Sequence, residues 1–287
     1  MGTLKGKKLL ITGASRGIGL AIALRAAADG AAIAILAKTD APHPKLPGTI
    51  HEAAAAVERA GGRALALKVD VRHEDDVRAA VERTVAIFGG IDACVNNAAA
   101  INLAGTLSTD MKRYDLMHSI NARGAFMVSK YCLPHLLQAS GPAHILMISP
   151  PLNLDPVWFA AHPAYTVSKY NMSLYAMALA HEFRGRIGVN SLWPRTTIAT
   201  AAIANLLGGE AMMRRSRKPE IMGDAAHAIL TRGITFTGNF CIDDAILAEQ
   251  GASDLDRYSV ESAADLQIDL FLDEKSSRQW LKSARRG

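Results

Sequence analysis

Short apolar runs alternate with stretches of helix-like polarity along most of the chain. Residues 8–12 pair Leu9, Leu10 and Ile11 with a glycine-rich continuation, which predicts a buried strand ending in a turn. Residues 18–28 read as a helix, and 32–37, Ala-Ile-Ala-Ile-Leu-Ala, as a second strand. The next stretch holds Pro42, Pro44 and Pro47 and must be a loop. A helix over 53–59 stops at Gly61-Gly62, a strand covers 64–69, and a helix over 74–88 stops at Gly89-Gly90. Residues 91–95 form a fourth strand, and a long helix covers about 110–138. Strands at 143–149, 186–192 and 237–242 follow, with the helix carrying Tyr165 and a short helix over 223–231 between them. Short apolar strands alternating with helices predict an α/β fold: a mostly parallel, seven-stranded sheet with helices on both faces. One domain over 1–245 is expected, then a polar C-terminal extension, 246–287, with one apolar patch, Leu270-Phe271-Leu272.

Composition narrows the class. The chain has 287 residues, 49% of them hydrophobic, enough for a sizeable core. No apolar run approaches the ~18 residues of a membrane span. Lys5-Gly6-Lys7-Lys8 leads into a strand rather than a signal sequence, and Arg285-Arg286-Gly287 is not a peroxisomal ending, so a cytoplasmic protein is expected. The three cysteines, Cys94, Cys132 and Cys241, are scattered, which argues against a disulfide framework or a metal site. A net charge of +5 raises nucleic-acid binding, but the basic residues are dispersed. The tightest cluster, Arg214-Arg215-Ser216-Arg217-Lys218, reads as a solvated loop, so no nucleic-acid partner is expected.

Two motifs carry chemistry. Gly13, Gly17 and Gly19 stand between the first strand and the first helix, the context of a dinucleotide site in a Rossmann-type, doubly wound fold. Tyr165 and Lys169 stand four residues apart, so phenol and ammonium share one helix face. A nearby ammonium lowers a phenol pKa from about 10, which makes Tyr165 a candidate acid/base for hydride transfer to a carbonyl.

The run Thr12-Gly13-Ala14-Ser15-Arg16-Gly17-Ile18-Gly19, then Asn96-Asn97-Ala98-Ala99, Asn121, Ser149 and Tyr165-x-x-x-Lys169, resembles the short-chain dehydrogenase/reductase superfamily over residues 6–245. The stretches AKTDAPHPKLPGTI, ISPPLNLDPVWF and FTGNF are similar to its hydroxysteroid dehydrogenase-like branch. Animal members of that branch carry a C-terminal sterol-carrier domain, and the sequence ends soon after the resemblance does, at Phe271-Leu272-Asp273-Glu274. The resemblance implies that Tyr165 is the acid/base, that Lys169 binds a nicotinamide ribose, that Asn121 holds a relay water and that Ser149 assists. It also implies a cofactor site built from Gly13, Ser15, Arg16, Gly17, Ile18, Gly19, Asp70, Val71, Asn96, Asn97, Ala98, Pro194 and Thr197, with Tyr165 and Lys169.

Charge at the end of the second strand selects the cofactor. The place of the ribose-binding acid holds Ala37, followed by Lys38, and Arg16 lies in the glycine turn, so NADP(H) is expected; Asp40 nearby is the complication. Two departures from the family pattern stand out. Ser149 is followed by Pro150 and lies sixteen residues before Tyr165, so either Ser149 acts with an altered loop or no serine does; His162 and Asn153 are nearby donors. Arg195 stands after Pro194 where the family has glycine, free to meet an anionic group of substrate or cofactor or to face solvent.

The expected function is an NADP(H)-dependent alcohol dehydrogenase or carbonyl reductase. Phe126, Trp158, Phe159 and Trp193 suggest an apolar steroid-, terpenoid- or acyl-like substrate. A homodimer or homotetramer is expected. The competing reading is a catalytically weak NADP-binding regulator or scaffold. Residues 198–222, with Gly208-Gly209, Leu206, Leu207, Met212 and Met213, read as a mobile lid with Arg214–Lys218 on its outer side.

Overall fold

The computed structural model describes residues 2–42, 47–262 and 265–284. Seven parallel strands form one sheet in the order β3-β2-β1-β4-β5-β6-β7. They are β1 (Lys8–Thr12), β2 (Ala32–Ala37), β3 (Arg63–Lys68), β4 (Ala93–Asn96), β5 (His144–Ile148), β6 (Gly188–Trp193) and β7 (Phe240–Ile242). The expected "mostly parallel" sheet is parallel throughout. After β3 the chain crosses to the other side of β1, so β1 and β4 flank the switch point where ligands bind in such sheets.

Period-two alternation divides the core. Leu9, Ile11, Ile33, Ile35, Leu146 and Ile148 point to one face, packed with α1 (Gly17–Ala27) and α2 (Ile50–Arg59). Leu10, Ala34, Leu36, Ile145 and Met147 point to the other, under α3 (Glu74–Phe88). Helix ends follow local chemistry. Thr49 and Glu52 form a capping box, which starts α2 three residues earlier than the apolar pattern suggests. Glu74, Asp75 and Asp76 occupy the positive end of α3.

The long helix expected over 110–138 is three pieces: α4 (Met111–Met117), a π-helical stretch (His118–Gly124) and α5 (Ala125–Leu136). The wider turn takes Asn121 fully out of solvent. The remaining helices are α6 (Val157–Ala160), α7 (Pro163–Glu182), α8 (Gly209–Arg214), α9 (Glu220–Leu230), α10 (Asp243–Glu249) and α11 (Glu274–Ala284). α5 and α7 lie on the α3 face, and α9 and α10 on the α1 face.

The C-terminal residues depart from the expected polar tail. Ile246, Leu247, Leu255, Tyr258, Leu266, Ile268, Phe271 and Leu272 are all buried. A charged triad lies beneath them. Arg195 Nε donates to both Asp244 oxygens at 2.8 and 2.9 Å, and Arg217 Nη1 donates to Asp244 Oδ2 at 2.8 Å. Arg217 is 2% exposed and Ser216 is fully buried, so the run 214–218 does not lie wholly on an outer face: Asp244 holds the Arg217 guanidinium in the core. The side chains of Leu206 and Leu207 lie outside the described residues, as does Pro44.

All three cysteines are buried free thiols. Contact with Cys94, then burial, pushes the Cys132 thiol up, and burial pushes Cys241 up to about 12.

Candidate active site

The turn after β1 is shaped for close backbone approach. Gly13 has φ 67°, and a Cβ there would stand 2.9 Å from Asn97 Nδ2 and 3.0 Å from Ala98 Cα. At Gly19 a Cβ would fall 2.5 Å from Asn97 Nδ2 and 2.6 Å from the Gly13 carbonyl. Asn97 Nδ2 donates to the carbonyls of Thr12 and Gly13, while the N–H groups of Asn97 and Ala98 donate to Thr12 Oγ1. The end of β4 is thereby fastened to the turn. Ser15 and Ile18 flank the start of α1, whose first N–H groups, at Gly17, Ile18 and Gly19, have no acceptor within the helix. This tight, donor-rich cradle fits a pyrophosphate.

The adenosine side of the cradle is charged. Lys38 Nζ lies 3.8 Å from Asp70 Oδ2, and Arg72 grips both Asp70 oxygens. Burial works upward on the Asp70 carboxyl, but Arg72 and Lys38 hold it below the usual range. Val71, next in the chain, is buried. Arg16 donates to the carbonyls of Pro47 and Gly48 at 2.8 and 2.6 Å. Asp40 is taken up by Lys68 at 2.8 Å. Asn96 Nδ2 donates to Ser129 Oγ at 2.9 Å, and its buried Oδ1 has no hydrogen-bond partner among the described residues.

Across the switch point, α7 presents Tyr165 and Lys169 on one buried face. Lys169 Nζ donates to the Ile148 carbonyl at the end of β5 (2.6 Å) and lies 5.2 Å from the centre of the Trp193 ring. Burial pulls the ammonium pKa down to about 7, against the opposing charge of Asp269. The expectation that Lys169 lowers the tyrosine pKa is corrected: burial, then Asp269, pushes the Tyr165 phenol up. Asn121 accepts from Ala100 N–H and donates to the Ala100 carbonyl and to Ser168 Oγ, which itself donates to the Tyr165 carbonyl. The π stretch is thereby tied to the backbone under the tyrosine.

The profile of the family described as short chain dehydrogenase matches residues 7–207. The chain belongs to the short-chain dehydrogenase family. Its similarity places it in the hydroxysteroid dehydrogenase-like branch. It is 57% identical over 272 residues to hydroxysteroid dehydrogenase-like protein 2 of Danio rerio and 54% identical over 273 residues to that of Homo sapiens. Each match covers 95% of this chain and 65% of the relative, so the chain spans just under two thirds of these relatives' length. Among solved structures, a dehydrogenase described as putative from Xanthomonas campestris is 58% identical, with a TM-score of 0.92, covering 95% of this chain and 100% of that one. A short chain dehydrogenase from Mycobacterium thermoresistibile is 50% identical, with a TM-score of 0.90, covering 94% and 96%.

The site of this chain departs from the sequence expectation on the β6 side. Ser149 is fully buried at the end of β5, and its hydroxyl donates to Ser191 Oγ on β6 at 3.1 Å. His162 sits at the start of α7 with its pKa lowered by burial, and the Asn153 backbone is engaged by the Tyr170 hydroxyl. Pro194 and Thr197 are buried, and Thr197 Oγ1 pairs with Ser216 Oγ at 2.8 Å. Arg195 faces neither substrate nor solvent: the Asp244 carboxylate neutralises it, and its guanidinium lies 4.3 Å from the centre of the Trp280 ring on α11.

Two residues at the site escaped sequence reasoning. Asp269 is partly buried beside Lys169 and Tyr165; burial raises its carboxyl to about 7, against the Leu270 N–H and the charge of Lys169. Phe271 packs on the Tyr165 ring with centroids 6.1 Å apart. The signals in the sequence were the apolar patch at 270–272 and the resemblance that runs to Phe271-Leu272-Asp273-Glu274; neither assigned a role to Asp269 or Phe271.

Proposed function

We propose that the chain is an NADP(H)-dependent oxidoreductase that interconverts an alcohol and a carbonyl on an apolar, steroid-, terpenoid- or acyl-like substrate. The observation that carries the reading is the pairing of Tyr165 and Lys169 on the buried face of α7, across the switch point from the glycine cradle. The nicotinamide supplies or accepts the hydride. Tyr165 donates its hydroxyl proton to the carbonyl oxygen in reduction and recovers it in oxidation. Burial pushes this phenol up, which keeps it protonated at neutral pH and makes it a weaker acid. Lys169 holds the ribose, Asn121 keeps the relay next to Ala100 in place, and Ser149 is the fourth member of the proposed group. Gly13, Ser15, Gly17, Ile18, Gly19, Asp70, Val71, Asn96, Asn97, Ala98, Pro194 and Thr197 complete the proposed cofactor site.

The preference for NADP(H) rests on Arg16 and Lys38, the two cations at the ribose end, with Asp40 drawn away to Lys68. The apolar substrate class rests on the ring of Trp158, Tyr170, Trp193 and Phe271 beside Tyr165. Self-association as a homodimer or homotetramer is proposed from exposed Phe126, Val167, Leu174 and Met177 on α5 and α7. Cytoplasmic residence belongs to the same proposal; among the described residues no helix is long and apolar enough to cross a membrane.

Turnover of NADPH with a carbonyl panel is the test. Tyr165→Phe is expected to lose about 10²–10⁴-fold in kcat while NADPH affinity holds. Retention of more than about a tenth of the wild-type rate would contradict the acid/base role. The engagement of Ser149 by Ser191 favours a second reading, a cofactor-binding regulator of the same fold; it predicts tight NADPH binding with no Tyr165-dependent turnover. Residues 198–222 are proposed to order over the site. Their ends are clasped by backbone bonds between Ala199 and Arg217 and between Arg217 and Thr197. Hydrogen exchange across this segment should slow on adding NADP(H) with an apolar alcohol, and equal protection with and without ligand would make it a fixed element.

A further inference from the structure

Residues 266–272 are sewn onto the chain that follows β6. Thr197 N–H donates to the Gln267 carbonyl at 2.9 Å, and Asp269 N–H donates to the Arg195 carbonyl at 3.0 Å. Thr196 and Ile268 therefore pair as an antiparallel bridge. Gln267 N–H donates to the Arg215 carbonyl at 2.9 Å, and Trp193 Nε1 donates to the Leu270 carbonyl at 3.0 Å. Arg195 anchors the arrangement from below, held between Asp244 and Trp280. The arginine that replaces the family glycine is accounted for by this anchoring.

At the end of the bridge the backbone turns inward. Phe271 has φ 71°, the one non-glycine residue with positive φ among those described. L-residues avoid that conformation, and it persists where the surroundings over-determine it, often at ligand sites. Here the ring of Phe271, 1% exposed, fills the centre of an aromatic group. Its centroid lies 5.4 Å from Tyr170, 5.7 Å from Trp193, and 6.1 Å from both Trp158 and Tyr165. Tyr165 is 6% exposed beneath it. Phe271 thus packs on the ring of the tyrosine read as the reacting group, in one buried aromatic cluster.

We propose that residues 266–272 form a wall of the substrate pocket and that Phe271 is its specificity-determining residue, limiting the bulk of the apolar body attached to the carbonyl. The inference rests on the reading of Tyr165 as the reacting group, but its test does not require turnover. Trp158 and Trp193 pack on Phe271, and Trp280 lies on Arg195, so tryptophan emission reports binding at the wall.

The experiment titrates the NADPH-loaded protein with cyclohexanone and with the fused-ring ketone 1-decalone, following tryptophan emission excited directly, and repeats both titrations on Phe271→Ala and Phe271→Leu. The ratio of decalone to cyclohexanone affinity should rise at least tenfold in Phe271→Ala and by a smaller factor in Phe271→Leu, since one methylene in an apolar pocket is already worth about 10–200-fold. Should Phe271→Ala fail to fold, Phe271→Leu and Phe271→Trp bracket the same ordering, the ratio rising in the first and falling in the second. An unchanged ratio across the variants overturns the inference, even where Tyr165-dependent turnover is present. Turnover absent in wild type with the ratio still ordered by side-chain size would instead sink the catalytic reading and leave the wall in place.

Discussion

The cofactor cradle and the wall over Tyr165 both depend on contacts between distant parts of the chain. Thr12 and Asn97 are 85 positions apart, and Trp193 and Leu270 are 77 apart. The first pair is set by strand register: β1 and β4 are neighbours, with Ile11 opposite Val95, so Thr12 at the end of β1 meets Asn97 just beyond β4. The second pair has no ladder behind it. Residues 266–272 touch the sheet side of the molecule through an isolated bridge at Thr196–Ile268 and otherwise through Arg195, Trp193 and the Phe271 ring. Strand register builds one half of the site; isolated backbone bonds and particular side chains build the other. Damage should therefore differ in kind. Changes in the cradle should alter binding of one ligand, whereas changes at the wall should loosen a whole segment.

The largest effect should come from Asp244, which neutralises Arg195 and Arg217 at once. Removing one member of a buried ion group leaves charge uncompensated and costs about 3–5 kcal/mol. Asp244→Ala should lower the urea midpoint accordingly and raise acrylamide quenching of tryptophan, because the anchor under Trp280 is lost. A loss below ~1 kcal/mol would mean that the wall is held by its backbone bonds instead.

A smaller and more selective effect is expected at Lys38. A charge-assisted contact to a 2′-phosphate is worth about 1.5–3 kcal/mol, so wild type should prefer NADPH over NADH by at least the tenfold that corresponds to ~1.4 kcal/mol. Lys38→Asp should narrow or reverse the preference at unchanged urea midpoint. Equal affinities in wild type would remove the charge argument for this half of the site.

The smallest effect concerns pH. The Asp269 carboxyl titrates at about 7 in the folded chain against an ordinary 3.8, so the native state holds its proton longer than the unfolded chain does. Its contribution to stability is full below pH ~4 and is lost as pH rises to about 7. Lys169 has the opposite sign: lowered from 10.5 to about 7, it contributes fully above pH ~10.5 and loses that contribution as pH falls through about 7. Asp269→Asn should flatten part of the decline in stability between pH 4 and 7, while Asp243, raised to about 7 by burial and then by Asp244, keeps its share. Superimposable urea midpoints for variant and wild type across that range would exclude Asp269 as a titrating neighbour of the site.

The same contrast explains what the sequence made legible. Strands at 8–12 and 32–37 and the helix at 74–88 follow directly from apolar runs and glycine stops. Gly13, Gly19 and the Asn97 that crowds them were readable because motif spacing and strand register describe the same contacts. The α4–α5 break was hidden because a π turn changes the helical phase while Gly124, at its end, stays helical, and Pro134 lies well beyond it in α5. Arg195 read as a cation for an anionic group of substrate or cofactor or for solvent, because its actual partner Asp244 lies 49 positions on, in a helix not foreseen. Phe271 stood out as an apolar residue in a polar stretch, but nothing local specified its left-handed backbone or the rings that receive it.

The buried thiols offer a built-in clock for how the sheet comes apart. Alkylating reagents attack the thiolate; contact with Cys94, then burial, pushes the Cys132 thiol up, burial pushes Cys241 up, and Cys94 is fully buried. Cys241 sits on β7, the edge strand, while Cys94 on the central strand β4 meets Cys132 in the layer covered by α5. Under mild denaturant, labelling of Cys241 should run ahead as the edge frays, and labelling of Cys94 and Cys132 should proceed together at the rate of global opening. The order in which three sulfurs acquire mass would then record, without any introduced label, whether the molecule unravels from its edge or fails all at once.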